Sequence, residues 1–390
     1  MKTLLQYGFM RKSSRIGLLC NQTAWDFSEK KYRFEMLAAS GLLKRIFIPE
    51  HGLFGELQDQ EKLNSTLAYQ RLSGNIEWIS LYHSENPSLT ATPEQLSAID
   101  ILLIDLQDTG SRYYTFTTTV WLLLKSISEL KLPIHLVVFD KPNPAGRMVE
   151  GTCLTREFAS FIGIEGLPHR HGLTMGELCT YFKHRLKADW KLTVIPPAKK
   201  QSPFIPPSPN MPALQTCRLY SGQCLWEGTN VSEARGTTLP FEMFGAPFLD
   251  WIYGEKWNDA GHPAFDPHVQ LRPVSFIPVF HKYCNETCHG LHVMVIDKKK
   301  YHSLSHSLRL IKFIKGRAKE FKWREGPYEA FNDKKAIELL VGDRLMLDYF
   351  EDKSSWKEVR IKMRAEERRW IKETKPFLLY KPILQQLKFK

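Results

Sequence analysis

Glu50 and His51 stand side by side in the stretch Arg45-Ile46-Phe47-Ile48-Pro49-Glu50-His51-Gly52-Leu53-Phe54-Gly55. A carboxyl next to an imidazole can hold and pass a proton, so the pair suits general acid/base chemistry. The apolar run before it stops at Pro49, and Gly52 and Gly55 allow the backbone to turn sharply behind it. An ordinary strand exit with solvated side chains would read the same way in isolation. The balance shifts because other apolar runs in the chain end in polar groups too.

The richest of these ends is Asp105-Leu106-Gln107-Asp108-Thr109-Gly110-Ser111-Arg112-Tyr113-Tyr114. It offers the carboxylates Asp105 and Asp108, the amide Gln107, the guanidinium Arg112 and the phenols Tyr113 and Tyr114. Arginine beside aromatic rings suits a planar anion attached to a sugar or base face. At least one of the two aspartates is expected to pair with an arginine and hold the loop. Asn143 follows in Asp140-Lys141-Pro142-Asn143-Pro144, Glu150 in Glu150-Gly151, and Glu227, Asn230 and Arg235 in two glycine-punctuated stretches further on. Paired carboxylates are what glycosidic hydrolysis needs, one to protonate the leaving oxygen and one to stabilise or attack the anomeric carbon.

Placing such groups together is the task of the surrounding elements. The pattern predicts strands over 15–20, 45–48, 77–82, 100–105 and 134–140, with helices over 28–40, from Thr92-Pro93, and over 117–130. That alternation predicts an α/β fold, a Rossmann-like, doubly wound, mostly parallel sheet. Ligands of such sheets bind outside the carboxyl ends of the strands, where Asn21 and Gln22, Glu50 and His51, His83 and Glu85, Asp105 to Asp108, and Asp140 and Asn143 all fall. No GxGxxG follows the first strand, so a dinucleotide is not indicated. Thr174 and Glu177 read as a capping box, which commits Glu177 to the backbone. The polar segment 52–74 is long enough to suggest a functional loop. A proline-rich connector over 196–212 sets a domain boundary near residue 195. The division is then 1–195 for a catalytic domain and 196–390 for a smaller α+β domain. In the latter, strands are predicted over 274–280 and 291–297, helices over 305–321 and 334–349, and a basic helical tail.

With 390 residues, 43% hydrophobic and 25% charged, the chain has the composition of a globular enzyme and not of a disordered or fibrous one. The excess of 54 Lys+Arg over 42 Asp+Glu gives +12, spread along the chain without a basic arm. This favours solubility and a mild attraction for anions over nucleic-acid binding. The seven cysteines are scattered, and no run is apolar enough to span a bilayer or to serve as a secretion signal, so a cytoplasmic setting is expected. His169-Arg170-His171 lacks a carboxylate at ligand spacing, so neither a metal nor another cofactor is expected.

The blocks at 49–55, 105–115, 141–144, 150–151, 171–178, 227–230, 235–242 and 326–329, in that order from about residue 16 to 342, resemble the exo-β-N-acetylmuramidase (NamZ-type) family, formerly a domain of unknown function. The resemblance implies a Rossmann-like domain, a smaller C-terminal domain and an active site in the cleft. It also implies release of terminal N-acetylmuramic acid from the non-reducing end of peptidoglycan fragments. Glu50 becomes the prime catalytic candidate, with His51 tuning it and Asp108 or Glu150 as the second group. Arg112 or Arg235 would meet the lactyl carboxylate, and Asp105, Gln107, Tyr113, Tyr114, Asn143, Glu227 and Asn230 would contact the sugar. One departure is Lys141, where the family has arginine. The competing readings are a non-catalytic saccharide- or nucleotide-binding protein and a metal-dependent hydrolase centred on His51, His169 and His171.

Overall fold

A computed structural model describes residues 11–55, 76–81, 89–197, 202–328 and 333–380. Most of the polar segment 52–74, together with His83, Glu85 and Glu329, lies outside them. The chain packs as two compact units that do not follow a single cut: residues 109–115, 144–172 and 210–390 form the second, and the rest form the first.

The first unit is built on six strands, β1 (Ile16–Cys20), β2 (Leu43–Ile48), β3 (Glu77–Ser80), β4 (Ile101–Asp105), β5 (His135–Phe139) and β6 (Leu192–Ile195). All are parallel, in the order β6-β5-β4-β1-β2-β3. This is the strand order of dinucleotide-type doubly wound sheets, whose direction of winding reverses between β1 and β4. Both of those strands are buried along their whole length, as continuous apolar runs covered on two faces should be. The sixth strand was not foreseen. Its sequence runs straight into Pro196-Pro197 and resembles the start of the connector, and as an edge strand it is only half-buried.

The helix expected over 28–40 is shorter, Arg33–Ala38. The Asp26 carboxylate accepts from the backbone N–H groups of Ser28 and Glu29 and from the Ser28 hydroxyl, and Lys30 takes a left-handed φ of 53°. Those bonds close a hairpin between Trp25–Asp26 and Lys31–Tyr32, so the helix starts only after it. Thr92 caps Pro93–Ser97 and Thr174 caps Met175–Arg185 as expected.

The second unit contains a two-stranded ribbon, Glu150–Cys153 with Pro168–Arg170, and a three-stranded antiparallel sheet. In that sheet Cys288–Val295 lies between Met243–Ala246 and Val269–Phe276. Helices Leu214–Gln223, Ser303–Arg317 and Trp356–Thr374 pack around these strands. The single helix expected over 334–349 is two, Ala336–Val341 and Arg344–Phe350. Gly342 takes a left-handed φ of 55° at the end of the first, and Asp343 accepts from the Met346 N–H to cap the second.

Candidate active site

The parallel register lines up the polar strand ends of the first unit. Cys20 pairs with Asp105 and Leu19 with Phe47, so Asn21, Gln22, Glu50 and Asp105 all emerge at one sheet edge, around the point where the winding reverses. Asn21 fixes this edge through its neighbours. Its Oδ1 accepts from the Thr23 N–H at 3.0 Å and the Thr23 hydroxyl at 2.7 Å, while that hydroxyl accepts from the Gln107 N–H at 3.1 Å. The Gln107 amide then donates to the carbonyls of Asp108 and Pro142. The amides of Asn21 and Gln22 donate to the carbonyls of Pro207 and Pro206, which ties the proline-rich connector to the same edge.

Glu50 follows β2 after Pro49 and is 7% exposed. Behind it His51 has φ 70° and Gly52 φ 82°, so the turn expected of the glycines begins at the histidine itself. Histidine is among the non-glycine residues that enter the left-handed region most readily, so the chain turns here at modest cost. Gly55 takes a left-handed φ of 66°, a conformation that would strain any side chain placed there.

Asp105 is an anchor. It is 1% exposed and receives the Arg33 Nε at 3.0 Å and the Lys141 ammonium. Arg33 in turn lies 4.0 Å over the Phe139 ring and 3.3 Å from Asp26. Lys141, the departure from the family pattern, thus makes a point-charge contact to a carboxylate. Burial and the charge of Asp105 push the Cys20 thiol far up, so Cys20 is no nucleophile. Asp108 accepts from the Thr117 hydroxyl at 2.9 Å. Asp140 is committed to capping, accepting from the Thr174 hydroxyl and the Gly176 N–H. The Asn143 amide donates to the Leu173 carbonyl.

Other candidates belong to the second unit, and several are sealed. Arg112 was expected to meet a carboxylate. Instead it is 1% exposed and donates to the carbonyls of Thr152, Leu167, Leu340 and Val341. It also lies 5.6 Å over the Tyr113 ring and donates to His169 Nε2, whose Nδ1 must then carry the proton donated to Thr152 O. Burial and the Arg112 charge hold His169 well below its ordinary value, so it is neutral with both ring nitrogens engaged, which removes it from the metal-ligand reading. Among the described residues no three His, Cys, Asp or Glu side chains gather in a metal-binding arrangement. The Tyr113 hydroxyl donates to Ser221 O. Tyr114 is buried against Tyr220.

Glu150 does not sit as a free second carboxylate. It is fully buried between Arg170 Nη1 at 2.8 Å, the Ser221 hydroxyl at 2.8 Å and the Leu304 N–H at 3.2 Å. Burial works to raise it, but the charges of His302 and Arg170 and these hydrogen bonds outweigh that and leave it below its ordinary value. The Asn230 side chain clips Glu320 O to the Lys322 N–H.

Glu227 and Arg235 lie in a charge cluster that the sequence reading only half found. Arg235 pairs with Glu227 and lies 3.3 Å from Glu233, and the Tyr328 hydroxyl donates to Glu227 at 2.6 Å. Glu233 is fully buried with Lys282 at 2.9 Å and His281 at 3.2 Å. Desolvation alone would raise Glu233, but Lys282, His281 and Arg235 hold it well below the carboxylate range. Glu233, His281 and Lys282 were missed because their pairing depends on contacts some fifty residues apart. The only local signal was Glu233 lying two residues before Arg235.

A six-stranded parallel sheet of this order, with polar strand ends and a second α+β unit, defines a Rossmann-like α/β enzyme fold. Two family models match, the N-terminal part of exo-β-N-acetylmuramidase NamZ over residues 16–215 and its C-terminal part over 218–380. The chain belongs to the exo-β-N-acetylmuramidase NamZ family. It is 36% identical over 325 residues to the peptidoglycan β-N-acetylmuramidase NamZ of Bacillus subtilis, covering 80% of this chain and 76% of that protein. Two DUF1343 family proteins of Bacteroides fragilis have similar structures, each over 97% of both chains. One has a TM-score of 0.76 at 22% identity and the other 0.72 at 26%.

Proposed function

We propose that this protein is a glycoside hydrolase that releases terminal N-acetylmuramic acid from the non-reducing end of peptidoglycan fragments. The observation that carries this reading is family membership along almost the whole chain, with a relative named for that activity. The first unit supports a role for Glu50 as general acid or base. It follows β2, the neighbour of β1, just before a left-handed turn, and it is shielded without being sealed. Asp105 is already neutralised by Arg33 and Lys141, so its role is to hold the strand end. Asp108, held by Thr117, is the second carboxylate of that edge and takes the partner role. Gln107 and Asn143 shape the rim around it. In the second unit Arg235 already has carboxylate partners in Glu227 and Glu233, so that cluster secures its own unit.

Among the described residues no helix is long and apolar enough to cross a membrane. All seven cysteines are free thiols, which supports a reducing compartment and hence recycling of wall fragments inside the cell. The deciding experiment compares turnover of a chromogenic β-N-acetylmuramide and the matching glucosaminide, for the parent and Glu50→Gln, with and without chelator. Release from the muramide alone, lost in Glu50→Gln and indifferent to chelator, is the expected result. Saccharide affinity without turnover would replace this reading with a binding protein.

A further inference from the structure

At the C-terminal end of helix Ser303–Arg317 the second unit has an open cavity of about 480 Å³. Lys315, Arg317, Lys319, Lys322 and Lys335 line it, with Glu325 as the one acidic side chain, so the lining carries an excess of four positive charges. The rings of Phe321 and Trp323 also line it, edge to face at 5.1 Å.

The cations fall into two groups. Lys315 is held by Glu351 at 3.3 Å and by the Phe350 carbonyl at 3.1 Å, and Arg317 by Glu255 at 3.3 Å. Glu351 also accepts from the Trp323 indole N–H at 3.4 Å, which fixes that ring. Lys319, Lys322 and Lys335 are exposed and have no carboxylate partner among the described residues. With no carboxylate to offset them, these three lysines present a favourable field to an anion. Partly buried aromatic rings at the same spot add an apolar face. Its volume falls within the range of small-ligand sites, and rings and cations share its lining.

We infer that this cavity is a second saccharide site, which takes an acidic sugar unit of the glycan with its pyranose face on Phe321 or Trp323 and its carboxylate on Lys319, Lys322 and Lys335. The inference rests on the glycosidase reading for the identity of the glycan. The carboxylate comes either from the lactyl ether or from a stem peptide. Such a site would hold the protein on polymeric substrate while leaving turnover of a small substrate alone.

The test uses the full chain with its lysines reductively ¹³C-methylated, which preserves their charge. The probes are the disaccharide of N-acetylglucosamine and N-acetylmuramic acid, with and without a stem peptide, and neutral di-N-acetylchitobiose. Methyl signals of Lys319, Lys322 and Lys335 should shift with the acidic disaccharides and not with chitobiose. A shift only with the peptide-bearing form assigns the carboxylate to the stem peptide. In a parallel measurement, a Lys319→Ala/Lys322→Ala/Lys335→Ala variant should bind peptidoglycan sacculi at least about tenfold more weakly. Its kcat/KM on the chromogenic muramide should stay within about twofold, because exposed side chains are removed and the fold is kept. Unshifted signals at millimolar disaccharide, equal shifts with chitobiose, or undiminished sacculus binding would each overturn the site. Failure of the parent to cleave the muramide would instead strike the proposed activity, since the lysine signals report binding without turnover.

Discussion

At the scale of single residues, carboxyl groups that look interchangeable in the sequence are separated by their surroundings. Asp105, Asp140, Glu150 and Glu233 are all committed to cations or caps, and Glu50 stands at the sheet edge before a left-handed turn. Glu50→Gln should lower kcat on a muramide by about 10²–10⁴-fold, the usual worth of a general acid or base. Its thermal midpoint should not fall, since the amide keeps the shape. An unchanged kcat would remove Glu50 from the chemistry. Glu150 should show itself differently. Its folded value lies below the ordinary 4.5, so its contribution is fully present above that value and is lost as pH falls through the lower folded one. Glu150→Gln should therefore be less stable at neutral pH, with a shallower loss of denaturant midpoint between about pH 5 and pH 3 than the parent. The motif around Glu50 was legible because its residues are neighbours in the chain. That one of Asp105 and Asp108 pairs with an arginine was legible, but not that the pair is Asp105 with Arg33, which lies 72 residues away.

At the scale of elements, strands with a sharp polar stop could be read from the sequence, while edges and breaks could not. β1 and β4 are buried on both faces and carry uninterrupted apolar runs, so they stood out. β6 needs only one apolar neighbour and is followed by prolines, so it looked like linker. The break between Ala336–Val341 and Arg344–Phe350 turns on Gly342, where helical periodicity continues past the break. A side chain at Gly342 would meet Leu154 Cδ1 at 2.1 Å and Arg112 Nη2 at 2.9 Å, at a φ that costs an L-residue about 1–2 kcal/mol by itself. Gly342→Ala should thus lower stability by at least about 2 kcal/mol, read as a shift in denaturant midpoint. A shift below half that size would mean the break tolerates a side chain.

At the scale of the whole molecule, the excess charge of +12 acts on an anionic substrate before any contact is made. Turnover of a muramide bearing its free lactyl carboxylate should fall in kcat/KM as salt rises from about 0.01 to 0.5 M, where the Debye length shortens from about 30 Å to under 10 Å. The lactyl methyl ester should respond far less, and equal salt slopes would show that the net charge plays no part in capture. Length and the proline-rich connector suggest a division near residue 195, but not how the chain is shared between the units. Residues 109–115 and 144–172 pack with the C-terminal half, and only the contacts of residues such as Arg112 reveal it.

Those contacts also set a timetable for synthesis. The Arg112 guanidinium reaches the Val341 carbonyl across 229 residues. At translation rates of about 5–20 residues per second, it leaves the ribosome roughly 10 to 45 seconds before that partner exists. Over that interval the segment around Arg112 is a charged, aromatic stretch with no place to dock, open to proteases and to holding chaperones. A nascent chain truncated before residue 340 should remain in that state, so a C-terminal nonsense mutation would be met as a quality-control problem before it could be felt as a loss of catalysis.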